Sequence, residues 1–266
     1  MVKKLFKYEI GAYLKTSLVI NLALLAISIV GRIIQFFENG ESVIYNLVFG
    51  SSVFFFVSAL FAANIMMLVL AIKRFYKNLF TAEGYLSFTL PVTASQHITV
   101  KLLTAMLFIV ISFVSSIVAV LIMTAGELTP EIFKAIGYIF KKSFSIIGGH
   151  LIFYIIEMLV LLLLSLAYSI LVYYACICFG QRAKKGRVGK SVLAYFVYYL
   201  ITQVVYTVLM IIGVGLGVDD ILLLFVKAPV ASIHVTLVTM IFIMFGLAAL
   251  MFSISRKTME NKLNLE

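Results

Sequence analysis

Long apolar runs separated by short polar segments set the pattern of this chain. Six runs, at roughly 16–37, 43–72, 102–125, 143–179, 191–217 and 233–254, each reach the ~20 residues with which a helix crosses ~30 Å of hydrocarbon. They are apolar nearly all round, whereas a helix of a water-soluble domain shows one apolar stripe and one polar face. The pattern predicts an all-α, polytopic membrane protein with six transmembrane helices. The second and fourth runs exceed the length needed, which predicts tilt, kinking or extension beyond the bilayer.

The segment ahead of the first run has a different pattern. Leu5, Phe6, Tyr8, Ile10, Tyr13 and Leu14 alternate with Lys3, Lys4, Lys7, Glu9 and Lys15. This suits an amphipathic helix over residues 1–15, lying in the headgroup layer with its lysines toward lipid phosphates. The apolar stretch begins too late, and is followed by no small-residue cleavage site, so a cleavable signal is not expected. The domain layout is then 1–15 as interfacial helix, 16–254 as the six-helix body and 255–266 as a tail.

Composition agrees with lipid as the outer solvent. Hydrophobic residues make up 64% of the 266 and charged residues 12%, and the mean hydropathy is +1.16. A soluble domain is nearer half apolar and about a quarter charged. The net charge of +10 is scattered between apolar runs rather than gathered into a patch. It points to anionic lipid headgroups and not to nucleic acid.

Charge placement predicts orientation. Sixteen of the 21 basic residues fall on alternate polar segments, all on one side of a six-span protein: Lys3, Lys4, Lys7, Lys15; Lys73, Arg74, Lys77, Lys101; Arg182, Lys184, Lys185, Arg187, Lys190; and Arg256, Lys257, Lys262. Glu38, Glu41, Glu127, Glu131, Asp219 and Asp220 fall on the other side. Cytoplasmic loops carry the lysine and arginine excess, so both termini are expected in the cytoplasm of a cell-membrane protein.

Several motifs that suggest chemistry lack the context that chemistry needs. Gly189-Lys190-Ser191 ends like a phosphate-binding loop, but Lys184 stands where the first glycine belongs. Gly213, Gly215 and Gly217 miss the dinucleotide fingerprint, with Val218 at the third glycine's place. His97, His150 and His234 have no metal-ligand spacing, so no metal is expected. Cys176 and Cys178, two apart on a helix, face different directions and read as packing residues. Two charges lie within the runs. Arg32 and Glu157 both fall near the side opposite the basic loops, either snorkelling to the interface or forming the polar mouth of a translocation path, possible partners of one another.

The segment 73–101 carries the most information. Thr81 is placed to cap a short helix with Glu83 in its first turn, Pro91 ends it, and Thr93 with Gln96 has the spacing of a capping box that opens the next helix. Phe80, Tyr85, Leu86 and Phe88 are too many large apolar groups for a solvated linker. They call for the headgroup layer or a protein partner.

These residues also carry a resemblance. Glu83-Gly84-Tyr85-Leu86, Thr89-Leu90-Pro91-Val92 and Lys101-Leu102-Leu103 resemble the E-G … L-x-x-P-V … K-L-L pattern of type-2 ATP-binding cassette exporter permeases, and the F-Y-K-N-L-F and F-T-L-P stretches are similar to permeases of Gram-positive bacteria. The match covers about 30 positions, together with the six-span layout. The resemblance implies that this loop is a coupling helix docked on a separate cytoplasmic ATPase subunit. Phe80, Glu83, Gly84, Tyr85, Leu86, Phe88 and Pro91 would belong to that contact. It further implies that a second permease chain, identical or not, completes the route, and that ATP and Mg are held by the partner, this chain binding no cofactor and catalysing nothing itself. A secondary transporter, or a non-transporting membrane sensor or assembly protein, are the alternatives.

Overall fold

The computed structural model describes residues 2–37, 42–81, 83–84, 91–126, 128–183, 185–215 and 227–261. Seven helices account for almost all of them: α1 (Val2–Phe36), α2 (Val43–Phe80), α3 (Ala94–Met123), α4 (Leu128–Ile147), α5 (His150–Gly180), α6 (Arg187–Gly215) and α7 (Pro229–Asn261). No strand occurs among the described residues. All except α4 are long and apolar enough to cross a membrane, so the chain is an all-α, multi-pass membrane protein with six candidate spans.

Three boundaries differ from the sequence reading, each for a local reason. Residues 1–15 do not form a helix of their own, because the described part continues without interruption into the first span as the 35-residue α1. The segment holds no proline and a single glycine, Gly11, and Glu9 and Tyr13 are buried, which gives it tertiary contacts to hold it. The run 143–179 is divided at Gly148-Gly149, where Gly148 takes φ +63°, a left-handed conformation that side chains disfavour. The residues before this break belong to α4 and those after it to α5. At the other end, α7 runs on through Asn261, with Ser255 and Met259 buried and Arg256 paired to Glu260 at 2.9 Å.

The described residues divide into two compact units. The first comprises Met1–Arg74 and Thr99–Lys141, and the second Phe75–Ile98 and Lys142–Glu266.

In the first unit the buried stripe of α1 is Glu9, Tyr13, Ser17, Asn21, Leu24, Ser28 and Gly31, recurring every three or four residues. The matching stripe of α3 includes Lys101, Thr104, Phe108, Ser112, Ser116, Ala119 and Met123. Small and hydroxyl-bearing residues face inward while Leu18, Val19, Leu22, Phe113 and Val114 stay exposed, the reverse of a soluble helix. In lipid there is no hydrophobic drive to bring helices together, so close approach and interhelical hydrogen bonds do so instead. Gly31 shows the closeness: a Cβ there would lie 2.5 Å from Met123 Sδ. Asn64 Nδ2 donates to Ser116 Oγ at 2.9 Å and so ties α2 to α3. A small apolar cluster of Leu24, Phe56, Ala63, Ala119 and Met123 fills the space between the three helices.

The second unit is built around α5. Its C-terminal half is buried, with Tyr174 stacked 3.7 Å from Phe75 at 7°. Against α6 it uses tyrosine pairs. Tyr168 and Tyr198 share a hydrogen bond, and the rings of Tyr173 and Tyr195 stack at 5.0 Å. Gly180 meets the first turns of α6 so closely that a Cβ would collide with Ser191 Oγ and fall 2.6 Å from its backbone nitrogen.

Candidate functional site

The connector between α2 and α3 is where the sequence concentrates its candidates, and the described part of it is tightly made. Phe80 ends α2 and is buried, packed edge-on to Phe75 at 5.7 Å. It anchors the end of α2 within its own unit. Thr81 follows directly, and the helix it was expected to cap lies largely outside the described residues. Thr81 Oγ1 donates to the Lys77 carbonyl at 2.5 Å, satisfying an orphan acceptor at the end of α2. Gly84 N–H then donates to the Thr81 carbonyl at 2.7 Å.

Gly84 is buried, and a Cβ there would lie 2.6 Å from the Leu79 carbonyl oxygen. The glycine of the Glu83-Gly84 pair is thus required by close approach to backbone that cannot rotate away. Glu83 beside it is exposed and pairs with Lys77 at 2.9 Å. Tyr85, Leu86 and Phe88 lie outside the described residues, as do Thr89 and Leu90. Pro91 is exposed, and after it the capping box forms as expected. Thr93 N–H donates to Gln96 Oε1 at 3.0 Å and Gln96 N–H to Thr93 Oγ1 at 3.4 Å.

The lysine of Lys101-Leu102-Leu103 belongs to a cluster that the sequence reading missed. Lys101 Nζ sits 2.5 Å from Glu9 Oε1, both side chains almost wholly buried, and Arg74 Nη2 sits 3.2 Å from Glu9 Oε2. One carboxylate of α1 therefore holds a cation from α2 and another from α3. Tyr13, one turn beyond Glu9, stacks on Phe108 at 5.3 Å and lies under the Arg74 guanidinium at 5.0 Å. The partners are 92 and 65 residues apart in the chain, so no local motif announces them. The available hint was that Glu9 is the lone acid in a strongly basic segment.

Glu157 and Arg32 each have partners within their own unit. Glu157 receives His234 Nδ1 at 2.8 and 3.0 Å, and His234 Nε2 lies 3.3 Å from His150 Nδ1. Tyr154 lies against the His234 ring at 4.2 Å and donates its hydroxyl to the Val230 carbonyl at 2.8 Å. A hydrogen-bonded chain of carboxylate, imidazole and imidazole thus joins the starts of α5 and α7, and it can pass a proton along its length. Arg32 donates to Gln35 at 2.9 Å, and its Nη2 occupies the space over Gly126, which takes φ +113°. Among the described residues, no three of the histidine, cysteine, aspartate and glutamate side chains gather to hold a metal ion.

No family model matches the chain, and no curated protein or solved structure matches it either.

Proposed function

We propose that this chain is the membrane-spanning permease subunit of a type-2 ATP-binding cassette exporter, moving a hydrophobic or peptide-like substrate. The observation that carries the reading is the α2–α3 connector, whose Glu83-Gly84 … Leu90-Pro91-Val92 … Lys101-Leu102-Leu103 sequence resembles the E-G … L-x-x-P-V … K-L-L pattern of that class, with Phe88 at the place of the first leucine. Each described landmark of the pattern has a physical reason to be there: glycine at 84 for close backbone approach, the capping box after Pro91, and Lys101 in a buried ion pair that binds α3 to α1. On this reading the connector docks on a cytoplasmic ATPase subunit that binds ATP and Mg. A second permease chain completes the route, and closure of the ATPases pulls on the connectors to alternate access. The protein then resides in a bacterial cell membrane with both termini in the cytoplasm.

Co-purification from the native host tests this. The wild type brings down an ATPase, while Tyr85→Ala/Leu86→Ala inserts normally and does not. Truncation of an anchor at a contact of this kind costs ~2 kcal/mol or more. Full retention of the ATPase by the double variant refutes the docking.

A proton-driven secondary transporter is a second reading, favoured by the Glu157–His234–His150 chain. It predicts uptake or efflux in vesicles driven by a pH gradient without ATP, abolished by Glu157→Gln.

A further inference from the structure

We infer that α4 is a membrane-surface helix, its apolar face in the boundary between headgroups and acyl chains and its lysines on anionic lipid headgroups. This stands apart from the permease reading and survives its failure. At about 100° per residue, Ile132, Phe133, Ile136, Ile139 and Phe140 fall within roughly a third of the helix circumference. Glu131, Lys134, Tyr138 and Lys141 fall on the opposite side. Among the described residues of its own unit the apolar side stays uncovered: Phe133, Ile136, Ile139 and Phe140 are 51–62% exposed.

Two observations identify the occupant. The first is tethering. Four residues separate α4 from the end of the candidate span α3, and only Gly148-Gly149 separate it from α5. The Thr129 hydroxyl donates to the Thr124 carbonyl at 2.7 Å and pins the first turn of α4 to the end of α3. A helix bound this closely to spanning helices at both ends stays at the height of the headgroups. The second is charge. Lys134, Lys141 and Lys142 against Glu131 leave α4 net cationic, complementary to anionic lipid. Its 20 residues are long enough to span, but burying those three lysines mid-bilayer is strongly opposed, whereas each gains attraction at an anionic surface. The surface position therefore wins.

The chain contains no tryptophan, so one introduced residue reports alone. Phe140→Trp and Ile136→Trp, on the apolar side, and Tyr138→Trp, on the polar side, are each placed in the full-length protein in bilayers containing phosphatidylglycerol. Quenching is read with lipids brominated near the glycerol end or near the tail end of the acyl chain. A face buried ~5–10 Å into the boundary gives blue-shifted emission and at least about twofold stronger quenching by the shallow label, for both apolar-side variants. Tyr138→Trp is quenched little by either label. Stronger quenching by the deep label overturns the inference in favour of a spanning α4. Blue-shifted emission insensitive to both labels overturns it in favour of a second copy or a protein partner, and red-shifted emission does so in favour of water.

Discussion

Replacing Glu9 by glutamine isolates the charge of a buried carboxylate without changing its shape. Glu9 contacts two cations in different environments: the Lys101 side chain is 4% exposed, whereas that of Arg74 is 20% exposed and reaches water. Opposite charges ~4 Å apart at an effective dielectric of about 20 attract by ~4 kcal/mol, but desolvation of both offsets much of that. The net loss on removing one partner is therefore governed by the ammonium left behind, typically ~3–5 kcal/mol. Glutamine keeps a carbonyl that accepts one hydrogen bond, which puts Glu9→Gln at the low end, about 3 kcal/mol. Read as thermal stability of the purified full-length protein at fixed scan rate, this is a fall on the order of 10 °C. The double variant Glu9→Gln/Lys101→Met removes the stranded charge and should recover most of the loss, a coupling that independent sites do not show. Arg74→Gln should cost no more than ~1 kcal/mol, because that guanidinium is partly solvated. If Glu9→Gln unfolds within ~2 °C of wild type, or the double variant is no better than the sum of its parts, the buried pair does not hold the three helices together.

Gly180→Ala should destabilise the α5–α6 hairpin by ~1–3 kcal/mol in the same melting assay, because the new Cβ meets the Ser191 backbone. Adding Ser191→Ala should not rescue it, and Gly189→Ala, which meets nothing within 4 Å, should be neutral or mildly stabilising. Thr93→Ala removes one arm of the capping box and should cost ~1 kcal/mol, with faster amide exchange confined to the first turn of α3 as the specific readout. Single cysteines at Lys185 and Lys257, in a background lacking Cys176 and Cys178, should be protected from a membrane-impermeant thiol reagent in intact cells, while one at Lys134 reacts. The opposite labelling pattern reverses the orientation drawn from the basic residues.

The spans were legible because runs of about 20 residues that are apolar nearly all round, repeated six times in one chain, suit lipid and not the one-sided burial of a soluble helix. The capping box at Thr93 and Gln96 was legible for a different reason: its partners are three residues apart, so spacing and chemistry suffice. The burial of Phe80 against Phe75 was not legible, because hydrophobicity places a residue out of water without saying whether protein or lipid covers it. The α4 helix was hidden because its last turn merges with the apolar run that follows, although the Gly148-Gly149 pair is a break signal in its own right.

The buried stripes of α1 and α3 carry the wider lesson. A search for the most apolar face of either helix selects the exposed one, since Val19, Leu22, Phe113 and Val114 face outward while Ser17, Ser28, Ser112 and Ser116 face in. In a lipid-solvated protein the informative periodicity is that of the small and polar residues. On α1 that stripe, read from Gly31 back through Ser28, Asn21 and Ser17, continues one and two turns further to Tyr13 and Glu9. The ion-pair cluster is thus the continuation of a packing stripe, and its acid sits where helix spacing requires it. Lys101 occupies the equivalent place on α3, one turn before Thr104 and two before Phe108. Each of the two stripes thus carries one charge, of opposite sign, and the Glu9–Lys101 pair is where they join.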